Sequence, residues 1–242
     1  MILRRGPAYT PDLGEEKAKM RAALESLLRA HKLDGTLTTT APSAAREGCA
    51  APTGRADLDA ALGGGFRRGQ LSEIAGACSS GRSTLAADAL AAATRRGEAA
   101  ALVDPCDAFD PAAAAARGVA LGQLLWVRPA RVGADDHAAA RALKAFSLIL
   151  QAGGFGLVIL DLADAAPAAI RRFPFTTWMR IARIVEGSDT AAVLIGASHL
   201  ARSAGGATVA LDAPSVRWQG TTSRARVFAG LDPALRVIGG RR

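Results

Sequence analysis

Short apolar segments alternate with segments of helical periodicity from Gln70 onward, and this alternation constrains the fold more than any other feature. Such alternation is typical of parallel sheets whose crossover connections are helices. Strands are predicted at Leu71–Ala75, Ala99–Val103, Leu124–Val127 and Leu157–Asp161, and helices from Ser83, near Pro111–Arg117 and at Asp135–Ala152. We therefore expect an α/β fold with a mostly parallel, twisted β-sheet flanked by helices.

The second half of the chain changes pattern after a helical segment around Thr176–Glu186. Strand-length segments then follow one another across short, turn-rich gaps, which is typical of antiparallel hairpins. These segments are Ala191–Ala197, Ala207–Leu211, Val216–Gln219, Ala225–Ala229 and Arg236–Ile238. The pattern predicts antiparallel β-hairpins at one edge of the sheet, a core over residues 54–230 and a basic C-terminal tail over residues 231–242.

An N-terminal helical arm with a linker is predicted over residues 1–53. Thr10, Pro11 and Asp12 supply a capping residue, a proline at the first helical position and an acidic first turn. An apolar stripe at helical spacing follows, made of Met20, Leu24, Leu27 and Leu28. Two alternatives are open for this stripe: it joins a partner or a second copy of the chain, or it packs on its own core.

Composition and charge limit the class of protein and leave the kind of partner open. Half of the residues are hydrophobic and 21% are charged, which is the balance of a globular chain. The net charge of +8 lies mostly in residues 122–242, which carry 15 basic and 8 acidic side chains. This surplus suits a nucleic-acid backbone or an acidic protein partner, but a biased, arginine-rich composition explains it equally well.

The sequence carries no signal for a membrane or for secretion. Its apolar runs are far shorter than the roughly 20 residues of a membrane span, and the charged N-terminus lacks the hydrophobic region of a signal peptide. Cys49, Cys78 and Cys106 lie 29 and 28 positions apart, which fits neither a disulfide framework nor a zinc site. We expect a cytoplasmic protein with no membrane contact and no bound structural metal.

The segment after the predicted strand Leu71–Ala75 has the glycine spacing of a phosphate-binding loop. In such a loop, backbone N–H groups hold phosphates, a hydroxyl ligates Mg²⁺ and a lysine reaches the outer phosphates. The candidate residues are Gly76, Ser79, Ser80, Gly81, Arg82, Ser83 and Thr84. Arg82 stands at the lysine position, and its broad planar fork does not fit the slot of a compact ammonium group. An ordinary strand-to-helix turn is the alternative explanation of the glycines.

Asp161 ends the apolar strand Leu157–Asp161 and is the candidate acid for holding Mg²⁺ near this loop. The alternative is that it caps the next turn, which is an ordinary role for an aspartate at a strand end. Loop and acid together predict a degenerate nucleotide site, at which ATP and Mg²⁺ are conceivable ligands but are not required.

The chain resembles the RecA recombinases over roughly residues 10–230, most strongly in GGFRRGQLSEIAGACSSGRSTLAADALAAATRRGEAAALVDPCDAFDP. In that family the strand after the loop's helix carries a glutamate that positions the attacking water, and Cys106 matches it here. Loss of a general base lowers a rate by about 10²–10⁴-fold, so we expect no catalytic residue and a pseudo-ATPase. Asp104 and Asp107 are alternative bases, although each is displaced from the glutamate's position. Cys106 itself is expected to be an inert thiol.

The resemblance also implies two DNA-binding loops, one after the strand that ends at Asp161 and one after Ala191–Ala197. Phosphate neutralisation and base stacking are the chemistry expected of them. The candidate contacts are Arg171, Arg172, Phe173, Phe175 and Arg202. An arginine-rich solvated face with core phenylalanines is the alternative. His199, in the second loop, is expected to be a turn residue.

A RecA-like core with an altered phosphate loop, an N-terminal arm and a basic tail is similar to the ImuA family, also labelled SulA-like. The resemblance implies an SOS-induced role in translesion DNA synthesis, in a complex called a mutasome. It implies as partners ImuB, an inactive Y-family polymerase homologue, and an error-prone C-family polymerase, with RecA as a further candidate. The expected function is a non-hydrolysing adaptor or scaffold. The competing expectation is an active DNA-dependent ATPase, a RecA paralogue in recombination.

Overall fold

The computed structural model describes residues 50–129, 137–201, 205–213, 215–222, 224–232 and 234–239. All of them belong to one unit that spans residues 45–242. The predicted arm helix with Met20, Leu24, Leu27 and Leu28 lies outside the described residues, as does Arg202.

The strands follow the sequence pattern closely. They are β1 (Ala50–Ala51), β2 (Phe66–Arg67), β3 (Leu71–Gly76), β4 (Ala100–Val103), β5 (Leu124–Val127), β6 (Leu157–Asp161), β7 (Ala191–Gly196), β8 (Gly205–Leu211), β9 (Ser215–Gln219), β10 (Val227–Asp232) and β11 (Leu235–Ile238). A seven-stranded sheet has the order β11-β8-β3-β7-β6-β4-β5. All of its neighbouring pairs are parallel except β11 with β8, so the expected mostly parallel α/β sheet is confirmed.

Helices cover both faces of this sheet. They are α1 (Ala56–Leu62), α2 (Arg82–Arg95), α3 (Pro111–Ala116), α4 (Ala138–Ala152), α5 (Pro167–Arg171) and α6 (Phe175–Val185), and a 3₁₀ turn spans Leu121–Gln123. At the start of α3 the Asp110 carboxylate accepts hydrogen bonds from the N–H groups of Ala112 and Ala113, as an aspartate before a first-position proline predicts. None of the helices in the described ranges has the length and apolar character needed to cross a bilayer.

Strand β6 shows how alternating side chains build two cores. Leu157 and Ile159 lie in the core under α2, whereas Val158 and Leu160 lie in the core under α4 and α6. All four side chains are at most 1% exposed. Burying an aliphatic side chain of this size contributes about 1.5–3 kcal/mol, so this packing fixes the strand end where Asp161 stands.

Both ends of the core differ from the predicted boundaries. Ala50–Ala51 pairs with Phe66–Arg67, so the core begins before residue 54. A Cβ on Gly65 would collide with the backbone of Ala51, and only glycine permits this approach. At the other end β11 lies inside the predicted tail but joins the sheet by pairing with β8. Its alternate residues Leu235 and Val237 pack against the core, which explains the extra strand.

The predicted antiparallel pairing is confirmed, but β9 and β10 do not extend the main sheet. These strands pair with each other in a separate antiparallel sheet, inserted between β8 and β11. At the base of the insertion the Asp212 N–H donates to the Ala234 carbonyl at 3.0 Å. Arg236 forms an ion pair with Asp212 at 2.8 Å. We call residues 215–232 the exposed hairpin, because every described residue of β9 is exposed.

Candidate functional site

The phosphate-loop segment lies at the carboxyl end of β3 and leads into α2. Gly81 precedes the helix with a φ of 95°, a left-handed conformation that glycine adopts at little cost. A Cβ on Gly76 would meet Ser80 and Leu211, so glycine lets the loop fold closely over the strand end. Ser83 and Thr84 are exposed, whereas Ser80 is buried. The loop therefore presents a helix N-terminus at the sheet edge where ligands of α/β folds bind.

Arg82 is buried, and its guanidinium contacts groups of its own chain. Its side chain is only 7% exposed. One guanidinium nitrogen, Nη1, donates to the Gly76 carbonyl at 3.0 Å, and the other, Nη2, donates to the Asp164 carboxylate. The positive charge that would face a phosphate is thus bound by a carbonyl and a carboxylate of the same chain.

Asp161 is held in a turn and lies largely out of solvent. Its Oδ1 accepts a hydrogen bond from the Ala163 N–H at 2.9 Å, which is the turn-capping contact of the alternative prediction. Burial raises the pKa of the Asp161 carboxyl to about 6; the Ala163 hydrogen bond lowers it, and the neighbouring Asp104 raises it. The carboxyl is therefore partly protonated just below neutral pH, a state that does not ligate Mg²⁺.

The thiol at the position of the family's glutamate is unreactive. Burial raises the pKa of Cys106 to about 11, and the nearby carboxylates of Asp104, Asp161 and Asp164 also raise it. The thiol is protonated at neutral pH, which agrees with the expectation of an inert side chain. Cys106 cannot act as a base for water in this state.

Both alternative bases are occupied by structural contacts. Asp104 is buried and accepts hydrogen bonds from the N–H groups of Cys106, Ala108 and Phe109 at 3.2, 3.2 and 2.9 Å. Asp107 forms an ion pair with Arg128 at 2.7 Å. These carboxylates shape the loop after β4 through these contacts.

A cavity of about 270 Å³ lies between α2 and the segment of residues 108–117. Its walls include Ser83, Thr84 and Asp161 from the predicted site. They also include Phe109, Asp110 and Arg117, which the sequence pattern does not single out. The volume is slightly below the roughly 300–1,000 Å³ of typical small-molecule sites. Within the described ranges no group of three or more His, Cys, Asp or Glu side chains is arranged to hold a metal ion.

A larger cavity of about 460 Å³ opens at the ends of β4 and β5. It is lined by Asp104, Arg128 and Arg141 together with apolar side chains, and by none of the residues predicted for the nucleotide site. We place the candidate site at the smaller cavity, because the phosphate loop and the strand-ending aspartate both line it.

The residues predicted for DNA contact separate into two groups. Arg171 and Arg172 are exposed at the end of α5, so a phosphate contact and a solvated face both fit them. Phe173 instead packs its ring against Trp178, with centroids 5.9 Å apart, as the core alternative predicts. Phe175 is 51% exposed. The first predicted loop therefore keeps its arginines and one aromatic side chain at the surface.

A buried acid that the sequence pattern does not single out anchors the loop after β7. Glu73, on β3, is 2% exposed and accepts hydrogen bonds from the N–H groups of Leu200 and Ala201. The Nδ1 of His199 lies 2.8 Å from the second carboxylate oxygen of Glu73. His199 thus lies in the loop after β7 and has a defined partner. The signal for this contact was a charged residue inside the apolar strand LSEIAG.

The exposed hairpin carries aromatic and basic side chains that no prediction included. Trp218 and Phe228 face each other in register, are 52% and 57% exposed, and meet edge to face with centroids 6.2 Å apart. Arg224 and Arg226 are exposed between the strands. Exposed aromatic side chains beside arginines are typical of surfaces that bind single-stranded nucleic acid. The sequence signal was the mixture of Arg, Trp and Phe in SVRWQ and RARVF.

Sheet order, loop position and the strand-ending aspartate define the class of protein as a P-loop α/β protein. The family model described as the RecA N-terminal domain matches residues 20–170, which is more than half of the chain. The chain belongs to the RecA N-terminal domain family.

Three relatives, each named Protein RecA, illustrate the similarity. The protein of Lactobacillus delbrueckii subsp. bulgaricus is 33% identical over 162 residues, covering 62% of this chain and 44% of the relative. That of Chlorobaculum parvum is 40% identical over 114 residues, covering 47% and 31%. That of Treponema pallidum is 35% identical over 153 residues, covering 62% and 36%. The chain thus spans less than half the length of these relatives.

A solved structure agrees on the fold. The crystal structure of the RadB recombinase superimposes with a TM-score of 0.52 at 20% identity, covering 67% of this chain and 83% of the RadB chain. The shared architecture is the RecA-like sheet with helices on both faces.

Proposed function

We propose that this RecA-family protein is a non-hydrolysing adaptor or scaffold in an SOS-induced complex for translesion DNA synthesis. The single observation that carries the function is the inward turn of Arg82, whose guanidinium is bound by Gly76 and Asp164. Cys106, protonated at neutral pH, stands where the RecA family has its water-positioning glutamate. The RecA fold is retained as a binding surface, whereas the groups that serve ATP hydrolysis are altered.

The size of the expected loss of rate supports an adaptor over an ATPase. A missing general base costs about 10²–10⁴-fold, which is about 3–5 kcal/mol of activation free energy. Arg82 adds to this, since its charge does not face the open side of the loop. The exposed Ser83 and Thr84 favour the competing function, an active DNA-dependent ATPase, because they leave the Mg²⁺ side of the loop accessible.

The partners follow from similarity to the ImuA family. They are an ImuB-like inactive Y-family polymerase homologue and an error-prone C-family polymerase, with RecA as a third. The stripe of Met20, Leu24, Leu27 and Leu28 is the proposed contact for a partner or a second copy. The protein works in the cytoplasm and requires neither ATP nor Mg²⁺.

Direct contact with single-stranded DNA is the second part of this function. Trp218 and Phe228 offer exposed rings for base stacking, and Arg224 and Arg226 offer charge for phosphates. Arg171 and Arg172 form a second exposed basic site on α5 and its cap. Together these two regions account for part of the basic surplus of residues 122–242.

ATP turnover with and without single-stranded DNA tests the adaptor against the ATPase. We expect no DNA-stimulated turnover in the wild type and none in the double variant Arg82→Lys plus Cys106→Glu. Capture of the full chain from DNA-damaged cells should recover polymerase-family proteins. DNA-stimulated turnover by the wild type at the level of a RecA control would establish the competing function.

A further inference from the structure

Arg82 already has two acceptors within the chain, a carbonyl and a carboxylate. A guanidinium group presents its donors in a fixed fork that matches the paired oxygens of a carboxylate or a phosphate. Here that fork is shared by the Gly76 carbonyl, at 3.0 Å, and the Asp164 carboxylate. The Arg82 side chain is 7% exposed, so its guanidinium has little contact with water. A phosphate that approaches the loop meets an arginine whose best partner is in place.

Asp164 reaches Arg82 because of the turn after β6. The Ala163 N–H donates to Asp161 and the Ala165 N–H donates to the Leu162 carbonyl, which closes the chain into a tight turn. Asp164, at the apex, is half exposed, with 52% of its side chain in solvent. One end of this ion pair is therefore fixed in the core, and the other end is free to move toward water.

The charges around Arg82 oppose a polyphosphate. Asp161, Asp164 and Asp104 all raise the pKa of the Cys106 thiol, so their carboxylates lie close to one another at this strand edge. Three carboxyl groups against one guanidinium give the site an excess of negative charge. A nucleoside triphosphate, with several negative charges, must displace Asp164 and also enter this field.

We propose that Asp164 is an internal substitute for phosphate, which holds Arg82 inward and so excludes nucleoside triphosphates from the loop. This rests on the proposed function, because it gives the physical cause of an adaptor that needs no nucleotide. The ligand class under control is any polyphosphate, from inorganic pyrophosphate to ATP. Removal of the Asp164 charge releases Arg82 and opens the loop, whose backbone and exposed Ser83 and Thr84 are already in place.

Asp212 supplies a matched control. It has the same 52% exposure as Asp164 and also pairs with an arginine, Arg236, but that arginine is 65% exposed and lies far along the chain, at the base of the exposed hairpin. Asp212→Asn removes one negative charge from the protein without removing a partner of Arg82. Any gain of affinity from net charge alone appears in this variant as well.

The experiment is equilibrium titration of the full chain with a fluorescent ATP analogue, and separately with inorganic pyrophosphate, in the presence of Mg²⁺. We expect Asp164→Asn and Asp164→Ser to bind both probes at least about tenfold more tightly than the wild type, since one unit charge removed beside a buried cation corresponds to a free energy of this order. Asp212→Asn should bind like the wild type.

Thermal melts provide a second measure of pyrophosphate binding, in case one of the two Asp164 variants folds poorly. Pyrophosphate should raise the melting temperature of either folded Asp164 variant and leave that of the wild type unchanged, because only a released Arg82 gains a partner. Equal affinity in wild type and Asp164→Asn overturns the assignment, whether both bind tightly or neither binds. The proposed function fails separately, on DNA-stimulated turnover by the wild type.

Discussion

The candidate nucleotide site and the exposed hairpin differ in whether their side chains bond within the chain or face solvent. At the site Arg82, Asp104 and Asp161 each have a hydrogen-bond partner within the chain. On the hairpin Trp218 and Phe228 keep more than half of their surface in solvent. Burying an aromatic side chain is strongly favourable. A pair of exposed aromatic side chains therefore indicates a surface that a binding partner covers. The difference indicates that the site is closed and that the hairpin is available for binding.

Two arginine–aspartate pairs give the largest expected contrast between these regions. Removing one partner of a buried ion pair costs about 3–5 kcal/mol, whereas an exposed pair contributes about 0–1 kcal/mol. Because Asp164 is half exposed and Arg82 is buried, Asp164→Ala should lower the free energy of unfolding by about 3 kcal/mol. Asp212→Ala, beside the exposed Arg236, should lower it by less than about 0.5 kcal/mol.

Denaturant titration of both variants at neutral pH measures this contrast. An equal loss of unfolding free energy in the two variants would show that Arg82 is not held by Asp164 in solution. The site would then not differ from the hairpin in this contact.

The next largest effect is the pH dependence that Asp161 imparts. Its folded-state pKa is raised from 3.8 to about 6, so its contribution to stability is fully present below pH 3.8 and is lost as the pH rises through about 6. Asp161→Asn carries no charge at any pH and keeps an oxygen for the Ala163 N–H. We expect the variant to exceed the wild type by about 2 kcal/mol at pH 7.5, from about two pKa units partly offset by relaxation.

The measurement is unfolding of both proteins at pH 4.5 and at pH 7.5. At pH 4.5, which is already above 3.8, the difference should be about a third of that at pH 7.5. A difference that stays constant across this range would show that Asp161 is solvated, and the site would then be as open as the hairpin.

A third and smaller effect concerns DNA on the hairpin. Stacking of a base on an aromatic side chain contributes about 1–3 kcal/mol. Trp218→Ala and Phe228→Ala should each weaken binding of a single-stranded oligonucleotide about tenfold. Phe175→Ala, at an aromatic residue of similar exposure beside Arg171 and Arg172, compares the second proposed DNA region and should weaken binding less. Fluorescence anisotropy of a labelled oligonucleotide gives the affinities; the reverse order would move the DNA surface to α5 and α6.

The smallest effect is electrostatic. Arg224 and Arg226 are exposed, so each should contribute one phosphate contact to the hairpin's affinity. Each alanine substitution should weaken binding about threefold and reduce the salt dependence of the affinity by about 0.7 in the log–log slope for single strands. If the slope of log affinity against log salt concentration is unchanged in both variants, the arginines do not contact phosphates. The exposed aromatic side chains would then be assigned to a protein-binding surface.

The fold was predictable because its strands are short and apolar on both faces. β5 and β6 have the predicted bounds, and β3, β4 and β7 differ from prediction by one residue. A strand buried on both faces is a nearly continuous apolar run, which a sequence displays directly. The separate pairing of β9 with β10 was not predicted. It depends on which strands meet in space and in which register, and the residue pattern within a strand does not specify its partner.

The candidate site was predictable in its backbone and not in its contacts. Glycine spacing located the loop, since Gly76 and Gly81 are required by close approach and by a positive φ. Asp164 was missed because its partner Arg82 lies 82 positions earlier and is brought close only by the sheet. Glu73 was missed for the same reason, because its partners lie more than 120 positions later.

The place of β3 in the sheet also dictates when the site is assembled. β3 pairs on one side with β7 and on the other with β8, and both follow it by more than a hundred residues. During synthesis the strand that carries the phosphate loop therefore has no sheet neighbour until β7, which ends at Gly196, leaves the ribosome, and its second neighbour follows with β8. Leu71 and Ile74 are buried in the finished fold, so their full burial waits for strands that are synthesised much later.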